Sequence, residues 1–163
     1  MALALNAAAF RAWTQLCADA LSAARTEIDA LNVFPVPDSD TGTNAFLTFA
    51  AGAEAVSELP ADAELSELVR VYTDGLLTGA KGNSGVIMSQ LVRACFRDLP
   101  VGGRISPADV AQAFTFAADA AYAAVGEPVE GTILTVARAA ADGAHAVADG
   151  ADDADADQGR AVF

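Results

Sequence analysis

The sequence has few of the residues on which disulfide frameworks, zinc sites and catalytic triads depend. Its 163 residues include 2 cysteines and 1 histidine, and aromatic residues make up 7%. Cys17 and Cys95 lie far apart, each within an apolar helical pattern. We therefore expect buried free thiols rather than a disulfide or a zinc site. The single histidine, His145, argues against a multi-histidine metal site or a catalytic triad.

Basic residues and long apolar runs are also scarce. Nine Lys and Arg stand against 22 Asp and Glu, which gives a net charge of −13 and argues against binding to DNA or RNA. The first ten residues lack the basic start of a signal peptide, and no uninterrupted apolar run reaches the length of about 18 residues that a membrane span needs. The sequence thus predicts a cytoplasmic protein without a transmembrane segment.

Alanine dominates the 53% of residues that are hydrophobic, and alanine is the best helix former. Apolar residues recur at helical spacing in several segments, so we predict an all-α fold of about six helices. The first predicted helix follows Asn6 for about 25 residues, and the second covers about 41–59. The third is capped by Asp62, and the fourth follows the glycines of 79–85. The fifth is capped by Ser106, and the sixth runs from 132 to about 147. Aspartates crowd residues 149–163, for which we expect a disordered acidic tail after a domain of residues 1–148.

Polar residues and glycines gather at three predicted helix starts. The first motif, residues 32–44, reads NVFPVPDSDTGTN and places Asp38 and Asp40 two apart in a proline-stiffened loop. Two carboxylates that converge there suit Mg²⁺, and the helix that follows offers free amides to an anion. The alternative is that Asp40 only caps the helix and Asp38 is an exposed turn residue.

The second motif, residues 79–90, reads GAKGNSGVIMSQ, and the third, residues 128–136, reads PVEGTILTV. Glycines before a helix allow backbone amides to approach phosphate oxygens closely, although the order of a Walker loop is absent. Taken singly, the second motif is also typical of a simple helix–helix connection, and the third is also typical of a plain helix cap. Three such clusters in one short helical chain favour a phosphate-binding site.

In this order the three motifs resemble the nucleotide-binding domain of dihydroxyacetone kinases, and within that family the N-terminal domain of bacterial fatty acid kinase A. The resemblance covers residues 1 to about 147 and implies an antiparallel helical barrel of about eight helices, of which about six are present here. It implies ATP and Mg²⁺ as cofactors, with Asp38 and Asp40 as the catalytic and metal-binding carboxylates and Asn32 as a third metal ligand. The cofactor-binding residues that it implies for the phosphates and the nucleoside are Thr41, Gly42, Thr43, Asn44, Gly82, Asn83, Ser84, Gly131, Thr132 and Ile133.

Two features depart from the family pattern. Ser39 stands where the family usually has glycine, which costs about 1 kcal/mol if that position needs a positive φ. The family domain also continues for further helices, so we expect this chain to be C-terminally incomplete. Apolar residues such as Trp13, Ile133 and Val136 should then be exposed and promote self-association.

The resemblance implies an ATP-dependent kinase that phosphorylates the carboxylate of a fatty acid presented by a separate fatty-acid-binding protein. The long form of the first motif favours this subfamily. The alternatives are the nucleotide-binding subunit of a dihydroxyacetone (glycerone) kinase, and a truncated, non-catalytic interaction module that binds a partner or forms a homodimer.

Overall fold

A computed structural model describes the backbone of residues 5–160 and the side chains of residues 5–150. Within this part of the chain there are six α-helices and no strands, which confirms the all-α prediction. The helices are α1 Ala7–Leu31, α2 Thr41–Ser57, α3 Leu65–Thr78, α4 Gly82–Arg97, α5 Pro107–Ala123 and α6 Ile133–Arg160.

Two helix starts follow directly from side-chain caps. The Asn6 side chain accepts a hydrogen bond from the Ala9 amide at 2.8 Å and so begins α1. Ser106 and Asp109 form a reciprocal capping box at the start of α5, with Pro107 in the first turn. Both starts confirm the sequence prediction, because each capping side chain accepts from an amide only three residues further along the chain.

The starts of α3 and α4 differ from the prediction. Helix α3 begins at Leu65 after Glu64, so Asp62 is not its cap. Helix α4 begins at Gly82, inside the glycine run that we expected to be a loop, because a φ of +59° at Gly82 turns the chain directly into the helix.

Helix α6 continues to Arg160, so it does not end near Val147, and residues 149–160 are helical where we expected disorder. Alternating alanines and the absence of proline allow the helix to propagate through the acidic segment. Residues 161–163 of the expected tail lie outside the described part of the chain.

The core has a large and a small part. The large part lies among α1, α2, α3 and α4 and is built around Phe10, Tyr72 and Leu68, which are fully buried. The Phe10 ring meets the Tyr72 ring edge-on at a centroid distance of 5.6 Å. The small part joins α5 and α6 through buried alanines, which let the two helices approach closely.

Apolar side chains remain exposed on the first and last helices. Neighbouring helices pack in chain order from α1 to α6, while α1 and α6 are not among the closely packed pairs of the described chain. Trp13 on α1 is 37% exposed and Val136 on α6 is 69% exposed, as expected, whereas Ile133 is half-buried. These apolar side chains are not fully covered by other helices in the part of the chain that the structure describes.

The two cysteines are accessible to different degrees from those that the sequence predicts. Cys17 and Cys95 are free, as expected, but they are half-buried rather than buried. This partial burial raises the pKa of both thiols. Of the helices that the structure describes, none is sufficiently long and apolar to span a bilayer.

Candidate functional site

The loop between α1 and α2 is held in place by Asn32. Its amide nitrogen donates to the Val36 carbonyl at 2.7 Å, and its side-chain oxygen accepts from the Thr41 amide at 3.2 Å and from the Thr41 hydroxyl. Asn32 therefore ties both the middle and the end of the loop to the end of α1. An oxygen that already accepts these bonds is a poor choice for a metal ligand, so the structure gives Asn32 a loop-ordering role.

Asp29 of α1 caps the N-terminus of α2. One of its carboxylate oxygens accepts from the Thr43 amide at 2.9 Å, and the other accepts from the Thr43 hydroxyl at 2.7 Å. These two bonds lower the pKa of Asp29, the hydroxyl having the larger effect. Asp29 was absent from our sequence prediction. A signal existed, because an acidic residue near the end of one helix can cap the next helix when only a short loop separates the two.

The first amides of α2 are consequently engaged within the protein. The Thr41 amide bonds to Asn32 and the Thr43 amide to Asp29, while Gly42 is buried against α1. A Cβ on Gly42 would lie 2.3 Å from the carbonyl oxygen of Arg25. The donors of Thr41 and Thr43 and the close packing of Gly42 thus secure α2 to α1, and in this conformation the Thr41 and Thr43 donors are not presented to a phosphate.

Asp38 and Asp40 occupy the exposed end of the loop. Asp40 is at the N-cap position of α2 and Asp38 is exposed, as the alternative expected, although the Asp40 side chain makes no capping hydrogen bond to the described residues. Ser39 between them has a φ of +56°. This is the left-handed conformation that the glycine usual at this position in the family would adopt without strain. Within the described part of the chain, neither carboxylate is used in a salt bridge.

The second motif packs directly on the first. A Cβ on Gly82 would lie 2.2 Å from the side-chain nitrogen of Asn44, so the carboxamide of the first motif rests against the bare backbone of the second. The Lys81 amide donates to the Thr48 hydroxyl at 3.1 Å, and a Cβ on Gly85 would meet the same hydroxyl at 2.3 Å. Glycine is required at both positions because helices α2 and α4 approach closely here.

Asp29 caps the N-terminus of α2, whereas no side chain of the described residues caps the N-terminus of α4. In the part of the chain that the structure describes, the amides of Gly82, Asn83 and Ser84 lack hydrogen-bond acceptors, and Gly82 and Asn83 are exposed. The Ser84 hydroxyl is buried and has no hydrogen-bond partner among the residues that the structure describes. Unpaired amides at a helix start favour an anion, and Lys81 at the N-cap adds a positive charge.

The third motif is ordered by Glu130. Its two carboxylate oxygens accept from the Tyr122 hydroxyl at 2.9 Å and from the Thr135 hydroxyl at 2.6 Å, and the Thr135 oxygen accepts from the Gly131 amide at 2.8 Å. The Thr135 bond, followed by the Tyr122 bond, lowers the pKa of Glu130. This network fixes the loop in front of α6.

Thr132 completes the turn into α6. Its hydroxyl donates to the Val129 carbonyl at 2.8 Å and accepts from the Leu134 amide at 3.3 Å. Thr132 and the next residue, Ile133, are both half-buried. Part of each side chain is therefore accessible beside the loop.

The third motif meets the first at Phe34. A Cβ on Gly131, whose φ is +80°, would lie 4.0 Å from a ring carbon of Phe34. The first motif thus lies against the second at Asn44, and the Phe34 ring lies beside Gly131 of the third. Segments that are separated by up to almost 100 residues in the chain lie together at the loop end of α2, α4 and α6, as a common site requires.

The arrangement fits Mg²⁺ only in part. Among the described residues, no group of three or more His, Cys, Asp and Glu side chains is placed to hold a metal. The described residues would therefore supply the two carboxylates of Asp38 and Asp40 and no third carboxylate, histidine or cysteine. A small ligand set is typical of Mg²⁺ sites that leave positions for water and phosphate oxygens.

Comparison with known proteins places the three motifs within one domain family. The family model described as the DAK2 domain matches residues 35–160, which include all or part of each motif. An uncharacterized protein of Staphylococcus saprophyticus is 50% identical over 126 residues, which are 77% of this chain and 23% of that protein. The protein YloV of Bacillus subtilis is 47% identical over 121 residues, 74% of this chain and 22% of that protein. The chain spans less than a quarter of the length of these relatives.

Proposed function

The chain belongs to the DAK2 domain family, and on that premise we propose that it binds ATP with Mg²⁺ and transfers the terminal phosphoryl group to a fatty acid carboxylate. At the coarser level, the family makes the chain a nucleotide-binding module of the dihydroxyacetone kinase type. The finer proposal includes a separate fatty-acid-binding protein that presents the acyl chain, and a cytoplasmic location.

The observation that most supports this proposal is the contact of the first motif with both of the others. Asn44 lies against Gly82, and Phe34 lies beside Gly131. A nucleotide has phosphates at one end and a base at the other, so a site for it needs several loops at one place. The exposed carboxylates suit a cation and the uncapped start of α4 suits an anion, so the site offers groups of opposite charge preference.

We assign the phosphates to the start of α4. The free amides of Gly82, Asn83 and Ser84 and the positive end of the helix dipole would stabilise the phosphate charge. Asn44 can donate from its carboxamide at the same place. Thr41, Gly42 and Thr43 would act indirectly, by fixing α2 and the loop that carries the carboxylates.

Asp38 and Asp40 would hold Mg²⁺ beside these phosphates. When bound, Mg²⁺ neutralises the negative charge on the triphosphate. The two carboxylates would otherwise repel ATP, because they lie close to its binding position in a chain with a net charge of −13. Nucleotide affinity should therefore depend on the cation.

A carboxylate acceptor suits a site without an evident general base. A fatty acid is ionised at neutral pH, so one of its oxygens can bond to the terminal phosphorus while the bond to the bridging oxygen breaks. The products are ADP and an acyl phosphate, and no proton has to be removed. Dihydroxyacetone, the acceptor in the alternative kinase, has a hydroxyl proton that must leave.

A non-catalytic interaction module is the second candidate, because apolar side chains are exposed on two helices. Leu16 on α1 is 66% exposed, and Val136 and Val147 on α6 are 69% and 70% exposed. Such faces suit a protein partner or a homodimer. This candidate predicts that the 163-residue chain self-associates and binds a hydrophobic probe without binding ATP.

Calorimetry of ATP binding with and without Mg²⁺ tests the kinase proposal. Asp38→Asn and Asp40→Asn should abolish the Mg²⁺-dependent part of the affinity and leave the helical circular dichroism unchanged. Asp62→Asn, the same change at an exposed turn, is the matched control and should bind ATP like the wild type. Absence of ATP binding in the folded wild-type chain would overturn the proposal.

The acceptor is tested separately. With labelled ATP, label should appear in an acyl phosphate when a fatty-acid-loaded binding protein is added, and not when dihydroxyacetone is added. Transfer to dihydroxyacetone alone would replace the fatty acid proposal by the dihydroxyacetone kinase alternative.

A further inference from the structure

Phe34 has an exposed aromatic ring at the junction of two motifs. The ring is 57% exposed, and a carbon of its edge lies 4.0 Å from the position that a Cβ on Gly131 would take. Nothing else in the described part of the chain lies within 4 Å of that position. The ring therefore borders an open space over the bare backbone of the third motif.

The exposure of Phe34 is imposed by the loop and is not a consequence of a frayed chain. Asn32 bonds to the Val36 carbonyl at 2.7 Å, so the loop is closed across Phe34. The other end of the open space is fixed by the bond from the Gly131 amide to Thr135 at 2.8 Å. Ordered backbone on both sides keeps the ring at the surface, where it contributes little to the core.

Two exposed valines lie in the same two loops as the ring and Gly131. Val36 is 56% exposed and Val129 is 38% exposed, and they flank Phe34 and Gly131 in their respective loops. The charged and amide groups of the proposed site lie instead at Asp38, Asp40 and the start of α4. The site is thus divided into a polar part that suits phosphates and an apolar part with one aromatic ring.

We propose that Phe34 is the platform on which the base of the bound nucleotide stacks, an inference that rests on the proposed nucleotide-binding function. An aromatic ring and a flat base attract each other through dispersion and burial of apolar surface. Glycine at position 131 leaves room for the base beside the ring, since any side chain there would point toward Phe34. Stacking of this kind is tolerant of the identity of the base.

The test separates the base from the phosphates. Binding of Mg²⁺–ATP and of Mg²⁺–tripolyphosphate, which lacks base and ribose, is measured by calorimetry for the wild type, Phe34→Leu and Phe34→Trp. Phe114→Leu is the matched control, because Phe114 is 38% exposed on α5, outside the three motifs.

We expect Phe34→Leu to weaken ATP about ten-fold and to leave tripolyphosphate unchanged, while Phe34→Trp keeps ATP affinity. Phe114→Leu should change neither ligand. If Phe34→Leu weakened both ligands equally, or changed neither, the assignment of Phe34 to the base would be overturned. The proposal that the wild type binds a nucleotide would still stand. If the wild type binds neither ligand, the proposed function fails and the assignment fails with it.

Discussion

The carboxylate of Asp29 receives both donors of Thr43, the amide at 2.9 Å and the hydroxyl at 2.7 Å. This pair joins the last turn of α1 to the first turn of α2 across the loop that carries Asp38 and Asp40. It also occupies a helix start that would otherwise attract an anion. The pair therefore directs the phosphates of our proposal away from α2 and toward the uncapped start of α4.

The same pair makes stability depend on acid. The Thr43 hydroxyl and then its amide lower the pKa of Asp29 below the ordinary value of 3.8. The stability gained is complete above that value and is lost as the pH falls through the lowered pKa of the folded state. Asp29→Asn should be less stable than the wild type at neutral pH, and the difference should shrink toward about pH 2. Thermal unfolding followed by circular dichroism measures this, and parallel pH profiles would contradict it.

Ser39 offers a stabilising substitution. Its φ of +56° places a side-chain-bearing residue in the left-handed region. Ser39→Gly should raise the free energy of unfolding by up to about 1 kcal/mol in urea denaturation. Ser66→Gly, at an exposed position in the first turn of α3, should lower it instead. A loss of stability at position 39 equal to that at position 66 would show that the left-handed conformation carries no cost.

Ser84 and Ser89 are two buried serines on α4 with different hydrogen bonding. The Ser84 hydroxyl has no partner among the described residues, whereas the Ser89 hydroxyl donates to the Val86 carbonyl at 2.8 Å. Ser84→Ala should keep or raise stability, since it removes an unpaired buried hydroxyl, and should weaken ATP. Ser89→Ala should leave ATP affinity unchanged. Equal effects of the two variants on calorimetric ATP binding would remove the start of α4 from the site.

Gly42 and Gly143 form a second matched pair. A Cβ on Gly42 would lie 2.3 Å from the Arg25 carbonyl oxygen, while one on Gly143 would meet nothing within 4 Å. Gly42→Ala should cost about 1–3 kcal/mol, because the obstacle is backbone and cannot rotate away. Gly143→Ala should stabilise the exposed helix by up to about 1 kcal/mol. Equilibrium unfolding of both variants checks the opposite signs.

Helix positions with local signals were predictable. Asn6 begins α1 and Ser106 begins α5 because each cap and its amide partner are three residues apart. The end of α6 was not predictable in the same way, since the helix continues past Gly150 through a segment of alanine and aspartate that contains no proline. The start of α4 was missed because a glycine run is compatible with both a loop and a helix start.

The sequence by itself determined the all-α class, six helices and three motifs that identify the family, because helical periodicity, caps and motif spacing are written within short segments. Only the tertiary structure decided what the motif residues do. Asp29 and Asn32 bond to α2 across a loop, and Phe34 reaches Gly131 from almost 100 residues away. Such contacts depend on how α1, α2, α4 and α6 pack, and packing is a property of the whole helical arrangement, which no single segment encodes.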